Sequence, residues 1–355
     1  MAYTTINKSS DYFNTKLYTG NGNAGNGITG VGFQPDFTWI KNREGAYWHQ
    51  TYDAVRGASA GALYTNETAA QDYMSGNGLA SFNSDGFTVN ANDGCNGNGQ
   101  DLVAWNWKAN GQGSSNTDGS INTTYTSANT TAGFSIVKYT GTGANATVGH
   151  GLGAVPKIVF YKNLVNASEN WFVYSSKVGA TKHLRLNSNV AETTSAGYFN
   201  NTDPTSSLLN VGTASGTNGS GNSMIAYCFA EKTGFSKFGK YIGTGSTTGT
   251  PFIYTGFKPA FVMTKGADVA DQWTMSDIPR DNAVGNGNGT GARLTADSSA
   301  AESTNTSWAS IQKYSNGFSP QGNDGVTNGS GSTYIFMAFA EAPLVGSNNV
   351  PCTAR

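Results

Sequence analysis

Gly32-Phe33-Gln34-Pro35-Asp36-Phe37-Thr38-Trp39-Ile40-Lys41 is the first of three related stretches in this chain. It returns as Gly153-Ala154-Val155-Pro156-Lys157-Ile158-Val159-Phe160-Tyr161-Lys162, and again as Gly256-Phe257-Lys258-Pro259-Ala260-Phe261-Val262-Met263-Thr264-Lys265. In every copy a proline stands six residues before a lysine, with apolar residues at the second and fourth positions between them. Side chains two apart on a strand share a face. Phe37/Trp39, Ile158/Phe160 and Phe261/Met263 therefore point one way, and Thr38/Ile40, Val159/Tyr161 and Val262/Thr264 the other. Both faces are mostly apolar, which predicts a strand enclosed on both sides. The proline, unable to donate to a ladder, belongs at the strand entrance.

The neighbourhood of the stretch repeats as well. Upstream, Phe13-Asn14-Thr15-Lys16-Leu17-Tyr18-Thr19-Gly20 matches Phe134-Ser135-Ile136-Val137-Lys138-Tyr139-Thr140-Gly141 and, with one extra residue, Phe235 to Gly243. Downstream, each copy has a tryptophan in an alternating strand, Trp48, Trp171 and Trp273, which the pattern places in the core. Small-residue stretches follow at 66–70, 189–193 and 299–303, read as turns. Ser84-Asp85-Gly86 and Ser315-Asn316-Gly317 then predict tight hairpins, while the second copy has Ser207-Leu208-Leu209 and should turn differently. Each repeat closes on its most hydrophobic strand, with Val103/Trp105/Trp107, Ile225/Tyr227/Phe229 and Ile335/Met337/Phe339 on one face.

These periods define an all-β chain: a polar lead at 1–12, β-sandwich repeats at 13–110, 134–233 and 234–342, and a tail at 343–355. The Gly, Ser, Thr and Asn of 111–133 read as a linker, leaving repeat one more freely placed than the closely joined repeats two and three. Only 12% of the residues are charged, against about 25% in ordinary globular proteins. The 12% of aromatic residues argues against disorder.

Composition excludes several function classes. With a net charge of −1 and scattered Lys and Arg, no nucleic-acid footprint is visible. The N-terminus lacks the apolar core of a signal peptide and no run is long enough to span a bilayer, so neither secretion by the usual route nor membrane insertion is expected. Cys95, Cys228 and Cys352 occupy unrelated places, implying neither a disulfide framework nor a metal site. His49, His150 and His183 show no ligand spacing and read as partly exposed surface or loop residues. Gly20-Asn21-Gly22-Asn23-Ala24-Gly25 and Gly57-Ala58-Ser59-Ala60-Gly61 fit nucleotide and nucleophile-elbow patterns but lack the helix that either needs, and read as turns. Asn92-Asp93-Gly94 and Asn323-Asp324-Gly325 have the oxygen-rich character of calcium loops, yet repeat two lacks the acid, so a turn is preferred. No catalytic residues, metal ligands or cofactor are assigned. Tyr47, Trp48, Tyr52 and Asp53 form the best candidate ligand-binding set, because sugar rings stack on aromatic faces while carboxylates and amides bond their hydroxyls.

The Gly-Phe-x-Pro-Asp-Phe-x-Trp-Ile-Lys stretch, the Asp53-Ala54-Val55-Arg56-Gly57 run, and the closing Tyr227-Cys228-Phe229-Ala230-Glu231 and Met337-Ala338-Phe339-Ala340-Glu341 segments together resemble a family of repeat-containing virion proteins of marine tailed phages, including cyanobacterial ones. The resemblance implies concanavalin-like or lectin-like jelly-roll sandwiches in a tail fibre or fibre tip. It also implies assembly as a homotrimer with other virion proteins, display on the virion, and attachment to a host surface glycan. A capsid or tail decoration protein that binds only virion subunits is the alternative, and a polysaccharide depolymerase ranks third because acids are sparse.

Overall fold

A computed structural model describes residues 4–72, 74–281, 291–303, 310–343 and 345. One strand plan recurs three times along the chain. In the first segment the opening strand Phe13–Thr19 pairs with the closing strand Asp101–Trp107, which pairs in turn with the proline strand Phe37–Asn42. The return strand Gln50–Asp53 and the short strand Leu63–Tyr64 complete an antiparallel sheet of five. The third segment repeats that order with Ser236–Ile242, Thr333–Pro343, Phe257–Gly266, Thr274–Asp277 and Leu294–Thr295. The second uses Phe134–Thr140, Ser223–Ala230, Pro156–Asn163, Phe172–Ser175 and Lys182–Arg185, and adds a strand at either edge.

A small antiparallel sheet covers one face of each large one. In the first and third segments it has three strands, and the expected hairpins appear there, Asn83 pairing with Gly86 and Tyr314 with Gly317. In the second segment Leu208–Val211 pairs instead with Ala146–Gly149. Three separate cores fill these sandwiches, built on residues such as Ile40 and Phe87, Val159 and Tyr161, and Val262 and Phe318.

The other faces of the three large sheets meet in one shared core. Phe37, Trp39 and Trp105 join Phe160, Trp171 and Tyr227 and, from the third segment, Phe261, Met263 and Met337. At its centre stand Trp107, Phe229 and Phe339, the equivalent residues of the three closing strands. Their ring centroids are 6.2, 5.6 and 6.1 Å apart, a nearly equilateral triangle that marks a three-fold axis within one chain. Every proline strand is therefore buried on both faces, which is why its sequence is apolar on both. Pro156 begins its strand, while Pro259 sits at a register shift where the missing N–H leaves no gap in the ladder.

The three junctions use equivalent contacts. Gln71 N–H donates to the Leu164 carbonyl at 3.1 Å, Glu192 N–H to Ala267 at 2.7 Å, and Glu302 N–H to Arg43 at 2.7 Å. The small-residue stretches are thus arms reaching the neighbouring segment, where sequence alone read turns. Beneath them lie the conserved-spacing lysines: Lys162 Nζ donates to the Thr68 carbonyl and Lys265 Nζ to Asn189, each in the preceding segment. At the third junction Glu302 also bridges Arg43 and Arg280.

This closed arrangement corrects the expectation of a freely placed first repeat, and of the flexible or extended linker expected at 111–133 the second half is an extended strand. Thr123–Asn129 is a strand paired with Phe134–Thr140, and Asp36 Oδ2 and Oδ1 accept from the backbone N–H of Ala109 and Gly111. The first segment is bonded to both others. Cys95 and Cys228 are buried free thiols, whereas Cys352 and nearly all of the 343–355 tail lie outside the described residues.

Candidate functional site

The sequence register of one tryptophan changes the reading of the candidate ligand set. Trp171 and Trp273 are buried, their backbone N–H groups donate to Asn187 and Asp297, and their indole N–H groups cross the junctions to the carbonyls of Tyr64 and Arg185. In the first segment that position belongs to His49, not Trp48. His49 N–H donates to Asn66 Oδ1 at 2.9 Å, its Nδ1 accepts from Trp39 Nε1 at 2.9 Å, and its ring lies against the backbone of Thr295 and Ser298. The expected core tryptophan is thus a histidine. The preceding Trp48, in the segment that leads into the return strand, is 45% exposed.

Trp48 forms one wall of a cleft of about 350 Å³, with Tyr47, Tyr64, Met74, Gln50 and the Asn92-Asp93-Gly94 turn around it. Local chemistry builds each side. Asn42 Oδ1 accepts from the N–H groups of Glu44 and Gly45, folding the chain back after the proline strand. Gly45 leaves room for the Tyr47 ring, since a Cβ there would stand 2.4 Å from it. Trp48 packs on Tyr64 with centroids 4.8 Å apart, and the Tyr64 hydroxyl donates to Asp72 at 2.7 Å. Opposite, Asn92 caps the one-turn helix Asp93–Asn96: its Oδ1 accepts from Gly94 N–H and from Gln50 Nε2. Tyr52 fixes the other end of the Gln50 amide, donating to Oε1 at 2.6 Å. The Asp93 carboxylate is left exposed at the rim. A flat, half-exposed indole beside prearranged amide and carboxylate groups is chemistry that accepts a ring with one apolar face and polar edges.

Of the four expected ligand residues, Tyr47 and Trp48 line this cleft. Tyr52 and Asp53 do not, because both are fully buried. They point to opposite faces of one strand: Tyr52 enters the first sandwich core, and Asp53 faces the junction with the second segment. There its carboxylate holds Arg56 Nε at 2.5 Å and accepts from the Tyr227 hydroxyl at 2.7 Å. Asp277 does the same with Arg280 and with the Trp105 indole N–H at 2.9 Å. The second segment has Ser175 at this place and Val178 three residues on, facing a Met337 that has no polar hydrogen to donate. Donor and acceptor are lost together.

The residues that sequence reasoning missed are Gln50, Tyr64, Met74, Asn92 and Asp93. Only Asn92-Asp93 carried a signal, as a weighed calcium loop. Asn92 and Asp324 are instead helix caps, the latter accepting from Val326 N–H at 2.8 Å. The histidines are corrected too: all three are buried, and burial pushes their imidazoles below the ordinary value, His183 to about 4. Ser59 lies in the short turn Ala58–Ala60, between Gly57 and Gly61 at positive φ, without a following helix.

No curated protein and no solved structure matches the chain. A family model does, over residues 8–343, which takes in all three strand plans and the cleft. The chain belongs to that family, described as a domain of unknown function, DUF7483.

Proposed function

We propose that this is a non-enzymatic virion structural protein, a tail fibre or fibre-tip component that attaches to host surface glycan through the Trp48 cleft. The observation that carries the reading is the outward-turned Trp48, packed on Tyr64 and lining one cleft with the Asn92-Asp93 turn. In this register the positions equivalent to Trp48 hold the polar Asn170 and Gln272, so packing of the fold gives no reason for an indole that stands 45% exposed, and a sugar ring supplies the missing apolar contact. In this reading the sandwich is lectin-like and works without a cofactor. Other virion proteins are its partners, and homotrimers are its expected assembly state. A capsid or tail decoration role is the second reading, favoured by the closed, weakly charged ring, which is a rigid unit suited to seating on other subunits. Binding of the purified protein to intact host cells and to their extracted glycans decides between them. Saturable binding that Trp48→Ala abolishes, with the fold intact, supports attachment; no binding at any concentration favours decoration.

A further inference from the structure

The lysines that look scattered in sequence do not all remain so in space. Where the second and third segments meet, a cleft of about 570 Å³ gathers Lys157 and Lys177 from one side and Lys237 and Lys240 from the other. Glu231 is the carboxylate among its lining residues, and it is already occupied, by Lys237 Nζ at 2.8 Å and by the N–H of Phe238. Three ammonium groups therefore face the opening without a carboxylate partner in its lining. Phe252 and Tyr254 stand over them, 51% and 56% exposed. The floor is Phe336, whose ring lies across Gly239; a Cβ on that glycine would come within 2.4 Å of it.

The fold explains why the cleft is open here. It runs between two edge strands of one sandwich, Ser236–Ile242 of the large sheet and Ile253–Tyr254 of the small one. In the second segment the corresponding edge is closed by Thr123–Asn129, the strand that the linker supplies. In the first, register equivalence puts Asn14 and Leu17 where Lys237 and Lys240 stand, and Pro279 where Lys177 stands. Among the described residues of the three equivalent edges, the basic, aromatic mouth stands only at this one. In a chain of net charge −1, such a local concentration of positive charge selects anions, and two exposed rings select a ligand that has flat apolar faces as well.

We infer that this cleft is a second carbohydrate site, specific for an acidic polysaccharide segment whose carboxylates or sulfates meet Lys157, Lys177 and Lys240 while its rings stack on Phe252 and Tyr254. It is separate from the Trp48 cleft and does not depend on the ligand of that site. Oligogalacturonate is the probe, with neutral dextran oligosaccharide and a single-stranded DNA of equal charge as comparisons, measured by titration calorimetry at low and high salt. Oligogalacturonate should bind, weaken about tenfold or more both in Lys177→Ala/Lys240→Ala and in Phe252→Ala/Tyr254→Ala, and weaken as salt rises. Trp48→Ala should leave it unchanged, so failure here is distinguishable from failure of the first site. All substituted positions are at least partly exposed, and unchanged thermal unfolding shows that the fold persists. Absence of oligogalacturonate binding would overturn the assignment. So would equal binding of dextran, or DNA binding that ignores the aromatic substitutions, which would mark a nonspecific polyanion surface.

Discussion

Replacing Asp53 by serine probes the junction between the first and second segments at a fully buried carboxylate. The Arg56 guanidinium is held there with 1% of its side chain exposed, by Asp53 Oδ2 at 2.5 Å and by the carbonyls of Thr51 and Gly61. Without Asp53 it becomes an uncompensated buried charge, and the Tyr227 hydroxyl loses its acceptor. Breaking one side of a buried pair costs about 3–5 kcal/mol, so Asp53→Ser should lower unfolding free energy by that amount in urea titration. The second-to-third junction shows how the loss is tolerated, with Ser175, Val178 and Met337 at the three places. Asp53→Ser/Arg56→Val/Tyr227→Met installs that arrangement in the first junction. The triple variant should recover to within about 1–2 kcal/mol of wild type, a repacking cost, although it carries more substitutions. Single-variant loss below about 1 kcal/mol, or a triple variant no more stable than the single, would refute the account of this contact as a matched donor and acceptor.

Adjacent substitutions at the cleft should separate binding from stability. Trp48→Ala should abolish the proposed glycan binding at a stability cost below about 1 kcal/mol because the ring is half exposed, whereas His49→Ala opens a buried space and should cost about 2–3 kcal/mol in the same denaturation assay. Burial pulls Lys41, Lys162 and Lys265 down to about 8 from 10.5. The unfolded chain therefore binds more protons between those values, and stability should rise as pH increases from about 8 to 10, with Nζ titrations by NMR centred near 8. Above pH 10 the buried tyrosines reverse the trend, since their hydroxyls are pushed up and the unfolded state ionises first. The buried histidines act at the other end. Their contribution is complete above pH 6.5 and is lost as pH falls toward about 4, the value for His183. His183→Phe should flatten that acid limb in urea titrations run from pH 7 to pH 4.

The proline and closing strands were legible because their side chains alternate between two buried faces, a pattern that length-two periodicity exposes directly. Nothing local told that the second buried face belonged to the other repeats. Trp107, Phe229 and Phe339 look like three separate core residues until the axis brings them together. The 111–133 segment misled because its composition is that of a coil. Its strand exists because an edge in the second segment offers unpaired backbone groups, which is a property of the partner and not of the segment. Trp48 and His49 misled differently: matching tryptophan with tryptophan is chemically natural, yet the slot holds a buried planar ring at the junction, and the imidazole of His49, fixed through Nδ1 by Trp39, fills it in place of an indole.

Closure around an axis by three unlike thirds carries its own consequence. In a ring of identical subunits every substitution appears three times, so a new surface feature is tested by selection in triplicate, with any steric or solubility penalty tripled too. Here one gene segment can drift while the other two hold the geometry, and among the described residues the outward tryptophan and the lysine-lined mouth each arise once, on different sets of residues. The molecule can thus keep the mounting geometry of a symmetric object while presenting distinct faces to the surroundings.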